Sequence, residues 1–320
     1  KSPISTVLIA ILLGILMGNA FTPRPGMMIG LDFTQQYILK LGIIFLGIRL
    51  SFADFIKFGS IAIPLIIICI VGVLILIKLL IKKVPISSKM SYLIAIGTSV
   101  CGATAIVATA PVINAKKSEV AYAIANITLF GVIAMLLYPY FAEWYFDNQS
   151  LNVGLFLGTS IHETSQVAAA GLIYDQQFNS PETLNVATVT KLIRNTFLVI
   201  LIPLFAFLYN RGEFKGQKYS IFNIFPYFVL GFIGMIIVRN LGDQLYPIES
   251  NNHEIWVNLI EYLKILATVF LTMAMAAVGI SINLSELKSM GYKPFVVGLI
   301  AAVTVGIISL IYIETLQKFI

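Results

Sequence analysis

Hydrophobic and polar positions follow one another along this chain in long blocks. Uninterrupted apolar runs occur at about 4–21, 60–81, 118–141, 221–238, 255–281 and 294–313. A bilayer core needs about 20 apolar residues per helix, so each run predicts a transmembrane helix. A further run, 183–209, is apolar only in its second half, and a shorter one, 36–52, carries Lys40 and Arg49, which read as the polar ends of a span. The first run also resembles a signal peptide; with so much apolar sequence behind it, it reads as a retained first span. Two stretches differ in kind. Residues 86–113 and 150–171 are rich in Gly, Ala, Ser and Thr, and too polar at their centres for ordinary lipid-facing helices. They predict discontinuous helices, which either dip into the membrane and return or break in mid-membrane and cross. Non-helical backbone at that depth is tolerated only where protein buries it or a cavity hydrates it.

Composition removes the soluble alternative. The 320 residues are 58% hydrophobic and only 11% charged, with a mean hydropathy of +0.93, where a soluble protein would have about a quarter of its residues charged. At roughly 30 residues per span and connection, the length allows about ten membrane elements and no sizeable soluble domain. The expected architecture is an all-α polytopic membrane protein, with residues 1–320 forming a single transmembrane domain.

The net charge of +6 then describes topology, because cytoplasmic loops carry an excess of Lys and Arg. Lys78, Lys82, Lys83, Lys89, Lys116 and Lys117, then Arg211, Lys215 and Lys218, then Lys288 and Lys293 mark the inner side. Glu143, Asp147, Asp175, Glu182, Asp243, Glu249 and Glu254 lie in the opposite loops, with Trp144 and Trp256 at that interface. No nucleic-acid partner is expected; the bilayer is, and a homodimer is left open. Cys69 and Cys101 lie in apolar stretches and provide neither a disulfide framework nor metal-ligand spacing, so no metal or cofactor is expected.

Two pairs of motifs repeat. Gly97-Thr98-Ser99-Val100-Cys101-Gly102-Ala103-Thr104 aligns without gaps on Gly158-Thr159-Ser160-Ile161-His162-Glu163-Thr164-Ser165. Gly47-Ile48-Arg49-Leu50-Ser51, continuing to Gly59, matches Gly279-Ile280-Ser281-Ile282-Asn283, continuing to Gly291. The charge map places the two copies of the second motif on opposite sides. Opposite-facing copies are the mark of inverted transporter repeats, and paired Gly-interrupted segments point to a midplane substrate site. The competing reading is that small residues serve close helix packing.

Ionisable groups at membrane depth mark substrate or ion pathways by default. His162 and Glu163 stand at the second break, and Lys191 and Arg194, three residues apart, share one helical face. Two cations beside broken helices suggest an anion site: exposed N–H groups and half-helix starts favour negative charge, and Arg grips oxyanions bidentately. The candidate substrate residues are Ser99, Cys101, Gly102, Thr104, Ser160, Thr164, Gln166, Lys191 and Arg194. His162 and Glu163 are candidates for proton coupling. Alternatively, Lys191 and Arg194 snorkel to the interface or pair with Glu163. Asn126 and Lys264 are lone polar groups that read as structural.

The CGAT-containing motif from Gly97 to Thr104, Pro111-Val112, His162-Glu163 with Gln166-Val167 and Ala169-Ala170-Gly171, Lys191 with Arg194, and Ala274 to Gly279 together resemble the YeiH family. These bacterial inner-membrane proteins carry the label of sulfate exporters. The resemblance runs over essentially the whole chain. It implies a fold similar to the cation:proton antiporter and anion transporter superfamily, with inverted repeats, discontinuous helices and an elevator-like movement, and it implies sulfate or sulfite as substrate. The superfamily's cation antiporters use intramembrane aspartates, whereas here every Asp lies in or near a loop, which fits an anion. The expected function is secondary transport of a small anion, with proton coupling as its candidate energy source, and not enzymatic. A passive anion channel is the first alternative. An intramembrane hydrolase using Ser99 or Ser160 with His162 is the second. Neutralising Lys191 or Arg194 is expected to abolish transport and leave the fold intact.

Overall fold

A computed structural model describes residues 5–21, 24–80, 86–209, 226–250, 252–283 and 292–317. Lys82, Lys83, Arg211, Lys215, Lys218, Lys288 and the second motif beyond Asn283 lie outside the described residues. The described chain is helical, without strands. In order the elements are α1 (Thr6–Ala20), α2 (Pro25–Arg49), α3 (Phe52–Leu80), α4 (Ser88–Ser99), α5 (Ala103–Thr109), α6 (Lys117–Phe146) and α7 (Ser150–Ser160). They continue with α8 (Thr164–Phe178), α9 (Pro181–Thr196), α10 (Leu198–Tyr209), α11 (Phe228–Leu245), α12 (His253–Ser281) and α13 (Tyr292–Gln317).

Seven described helices are long and apolar enough to cross a membrane, α9 being counted with the start of α10; α1 is apolar but shorter. Their surfaces fit lipid. Leu16, Leu137, Ile265 and Ile311 are exposed, whereas Asn126, Gln166, Lys191 and Arg194 are fully buried. A water-soluble fold would reverse that arrangement.

The two Gly/Ser/Thr-rich stretches are helical hairpins, and each returns to the side it came from. At the base of the first, Lys89 Nζ donates to the carbonyl of Asn114 at 2.7 Å. At the base of the second, the Ser150 and Ser180 hydroxyls are 2.8 Å apart, and Thr183 Oγ1 donates to Ser150 O. Both stretches are therefore re-entrant. Between them α6 runs 30 residues, about 45 Å at helical rise, so the hairpins enter from opposite sides. The end of α6 lies beside the end of α8, where Tyr174 donates to Glu143. Arg49 at the end of α2 pairs with Asp175 at 2.9 Å, and Trp256 donates to Asp243. Glu143 and Asp175, both assigned to the outer side, thus lie together at one end of the bundle.

The breaks arise differently. Gly102 has φ +66° and ψ −129°, a conformation that only glycine adopts at low cost. The second break is extended backbone at Ile161 and Glu163. There, the backbone N–H of Glu163 donates to Gln166 Oε1 at 3.2 Å.

Packing sorts the helices into two groups. α1, α2, α11 and α12 pack on one another, and α3, α6, α9 and α13 surround the hairpins. Asn126, unpartnered in the sequence reading, donates to Pro294 O at 2.7 Å and joins α6 to α13; Lys264 pairs with Glu261 at 3.6 Å. In lipid there is no hydrophobic drive between helices, so close contact relies on small residues. Gly14 of α1 and Gly279 of α12 meet in this way. A Cβ built on Gly279 would stand 2.5 Å from Ile11 O. We expect Gly279→Ala to lower the melting temperature in detergent, whereas Gly30→Ala, with nothing within 4 Å of its new methyl, leaves it unchanged or slightly raised. Parallel thermal melts of the two variants check this.

Candidate functional site

α9 passes beside both hairpin tips, and its two cations are fully buried there. Lys191 Nζ donates to the carbonyls of Val100 (2.8 Å), Ile161 (3.1 Å) and His162. Arg194 donates from Nε to Ser99 O at 2.6 Å, from Nη1 to Thr159 O at 2.5 Å and Ile161 O at 3.3 Å, and from Nη2 to Thr98 O. These are the last carbonyls of α4 and α7 and the first of the breaks, groups that a helix leaves without partners. Cations at the C-terminal ends of helices are favourable on charge as well.

Lys191 and Arg194, expected as direct ligands of an anion, are bonded to main chain in the structure. All three Lys191 donors and four of the five Arg194 donors are taken by backbone. Neither residue snorkels, and neither forms an ion pair with Glu163 among the described residues. They hold the two tips together.

Glu163 occupies the opposite electrostatic position. It directly precedes α8, and its Oε1 accepts from the N–H of Ala103, the first residue of α5, at 3.4 Å. Gly102 packs so closely on the Glu163 side chain that any Cβ there would overlap it. The Glu163 carboxylate thus stands at the start of both second half-helices, where negative charge is favoured.

Two cavities meet at this carboxylate. The smaller, about 310 Å³, is lined by Cys101, Thr104, Glu163, Thr164 and Ser165 from the tips and by Gln35, Gln36 and Lys40 from α2. The larger, about 660 Å³, is lined mainly by aliphatic residues of α1, α6 and α12, together with Glu163 and Ala103. Both lie between the two helix groups.

Of the residues singled out in the sequence, Cys101, Thr104, Glu163 and Thr164 therefore face a cavity. Gly102 shapes the break. Gln166 is buried, and its Nε2 donates to Thr128 O at 3.4 Å while its Oε1 holds the Glu163 N–H. Ser99, Ser160 and His162 are buried away from both cavities. The Ser99 and Ser160 hydroxyls and both His162 ring nitrogens have no hydrogen-bond partner, so no nucleophile and base are joined.

The sequence reading missed Gln35 and Gln36 as site residues and placed Lys40 at a span end. Lys40 lies 15 residues into the 25-residue span of α2. Its start was obscured because residues 25–35 carry Asp32, Thr34 and Gln35, which dilute the apolar signal. The same segment contains a π-helical turn, Thr34–Ile38, in which the Leu39 N–H bonds to Thr34 O. Such turns recur at functional sites. Gln35 in this turn donates to Ala277 O at 3.1 Å and to Ser281 Oγ at 2.7 Å, fixing it against α12.

Comparisons with known proteins agree on one family. A family model described as Conserved hypothetical protein 698 matches residues 1–298. A UPF0324 membrane protein of Streptococcus agalactiae is 35% identical over 303 residues, covering 93% of this chain and 86% of its own. A second, from Fusobacterium nucleatum, is 33% identical over 314 residues, covering 96% and 89%. The UPF0324 inner membrane protein YeiH of Escherichia coli is 32% identical over 305 residues, covering 92% and 81%. No solved structure matches. With seven helices of spanning length among the described residues and relatives of this kind over nearly its whole length, the chain is a multi-pass inner-membrane protein that belongs to the UPF0324 family, the family of YeiH.

Proposed function

We propose that this protein is a secondary transporter of a small anion, coupled to protons through Glu163. The observation that carries the reading is the Glu163 carboxylate, which sits at the half-helix starts and faces both cavities. The last carbonyls of α4 and α7 are compensated by Lys191 and Arg194, a fixed double positive charge. The half-helix starts on the other side of the breaks are met by one carboxylate. While Glu163 is ionised, it holds the place an anion would take and repels one. Protonation removes that repulsion, leaving the Thr104 and Thr164 hydroxyls and the half-helix starts to receive an external anion.

A sulfur oxyanion, sulfate or sulfite, is the inorganic substrate that the family resemblance names. Movement of the hairpin-bearing helices against α1, α2, α11 and α12 would expose the cavities alternately, since these lie between the two groups. This division into a moving and a static unit is part of the proposal. A carrier is favoured over a hydrolase because the Ser99 and Ser160 hydroxyls and the His162 ring make no bond to one another.

Two outcomes follow. In Glu163→Gln, anion binding no longer falls as pH rises, whereas wild-type binding weakens as Glu163 ionises; sulfate binding and uptake into proteoliposomes across a pH series measure this. A wild-type flux insensitive to an imposed pH gradient would instead point to the channel. For Arg194→Ala and Lys191→Ala, the carbonyl bonds change the expectation drawn from sequence. Removing either leaves buried carbonyls unpaired at a cost of about 1–3 kcal/mol for each group left unsatisfied. Both variants should melt at distinctly lower temperature, and detergent melts will show whether stability is lost together with transport.

A further inference from the structure

The two cavities are continuous in their lining. Gln35, Ala103, Glu163 and Val278 border both, yet their chemistry differs. The smaller is lined by one cation, Lys40, on the α2 side and by Thr104 and Thr164 on the side of the tips. Lys40 lies over the Tyr37 ring at 5.9 Å and forms no ion pair among the described residues. Lys40 is exposed, and a lysine well inside a span that borders a cavity is by default a candidate for binding. The larger cavity presents Ile15, Ile124, Ala125, Leu129, Val132 and Val278 and no cation. Its 660 Å³ falls within the range of cavities that take organic ligands, which are mostly apolar with a few orienting polar groups. An inorganic oxyanion would occupy only the smaller cavity and leave this apolar space without a function.

We infer that the site takes one amphipathic organic anion, an alkyl sulfonate or carboxylate, with its head between Lys40 and the hairpin tips and its tail in the larger cavity. This rests on the anion reading above and replaces the inorganic oxyanion named there with an organic one. The head meets groups from both sides, Lys40 from α2 and Thr104 and Thr164 from the tips. The tail passes Gln35, whose amide is fixed by α12, into the space between α1, α6 and α12.

The test is binding of methane-, ethane-, propane- and butanesulfonate, with sulfate alongside, to the purified full chain, read by calorimetry and thermal shift. Affinity should rise about fourfold with each methylene buried. Lys40→Gln should weaken every member by a common factor of about ten or more, with Lys40→Arg retaining most of it. Ala125→Trp, which fills the larger cavity, should flatten the dependence on chain length. Equal affinity across the wild-type series would overturn the inference, and that is also the result if a lipid acyl chain occupies the larger cavity. A Lys40→Gln protein that binds like wild type while melting normally would overturn it too. If sulfate binds and the series is flat, only the organic-anion inference falls. If neither sulfate nor any sulfonate binds, the anion reading falls with it.

Discussion

The hydrogen bonds from two buried cations to six backbone carbonyls allow the rest of the structure to exist. Breaking a helix at membrane depth leaves its last carbonyls without partners and without water. This chain breaks two helices and brings both ends to one place, which doubles the unmet acceptors and concentrates their partial negative charge. Lys191 and Arg194 supply donors and positive charge together. Their spacing on one helical turn lets a single helix reach both tips. Each cation bonds to both hairpins, so neither break is supported alone.

Two carbonyl ends fixed by cations leave the opposite, N–H-bearing ends as the part of the breaks with chemistry to offer. That side faces the cavities, and it holds one carboxylate. The proposed function rests on that asymmetry. The two positive residues of α9 bond to backbone, and the one negative residue beside them borders the cavities.

Much of this was legible in the sequence, and the rest was hidden for physical reasons. The hairpins announced themselves through Gly-Thr-Ser strings too polar to face lipid, but whether they return or cross is decided only by the bonds at their bases. The cluster of Glu163, Lys191 and Arg194 was visible as charges at membrane depth. What Lys191 and Arg194 donate to was not visible, because the acceptors are main-chain atoms and carry no residue signature. Lys40 was visible as a charge but not as a site residue. Its helix begins at Pro25 with a mixed segment, and a reading by apolar runs started the span eleven residues late, at residue 36. Gln35 and Gln36 escaped for the same reason, and the π-helical turn that carries them has no sequence pattern of its own.

The hairpin bases have a consequence for how such a chain tolerates rearrangement. A re-entrant element adds no crossing, so the side from which each hairpin enters is decided only by the spans around it. Between the two hairpins stands α6 alone. With an odd number of crossings there, the tips approach each other head to head. With an even number, both hairpins would enter from one face and their broken ends could not meet at α9. Parity therefore constrains this fold more strictly than length does: loops can grow or shrink at the membrane surface, but a single added or lost span between Asn114 and Ser150 would dismantle the site without changing any residue in it.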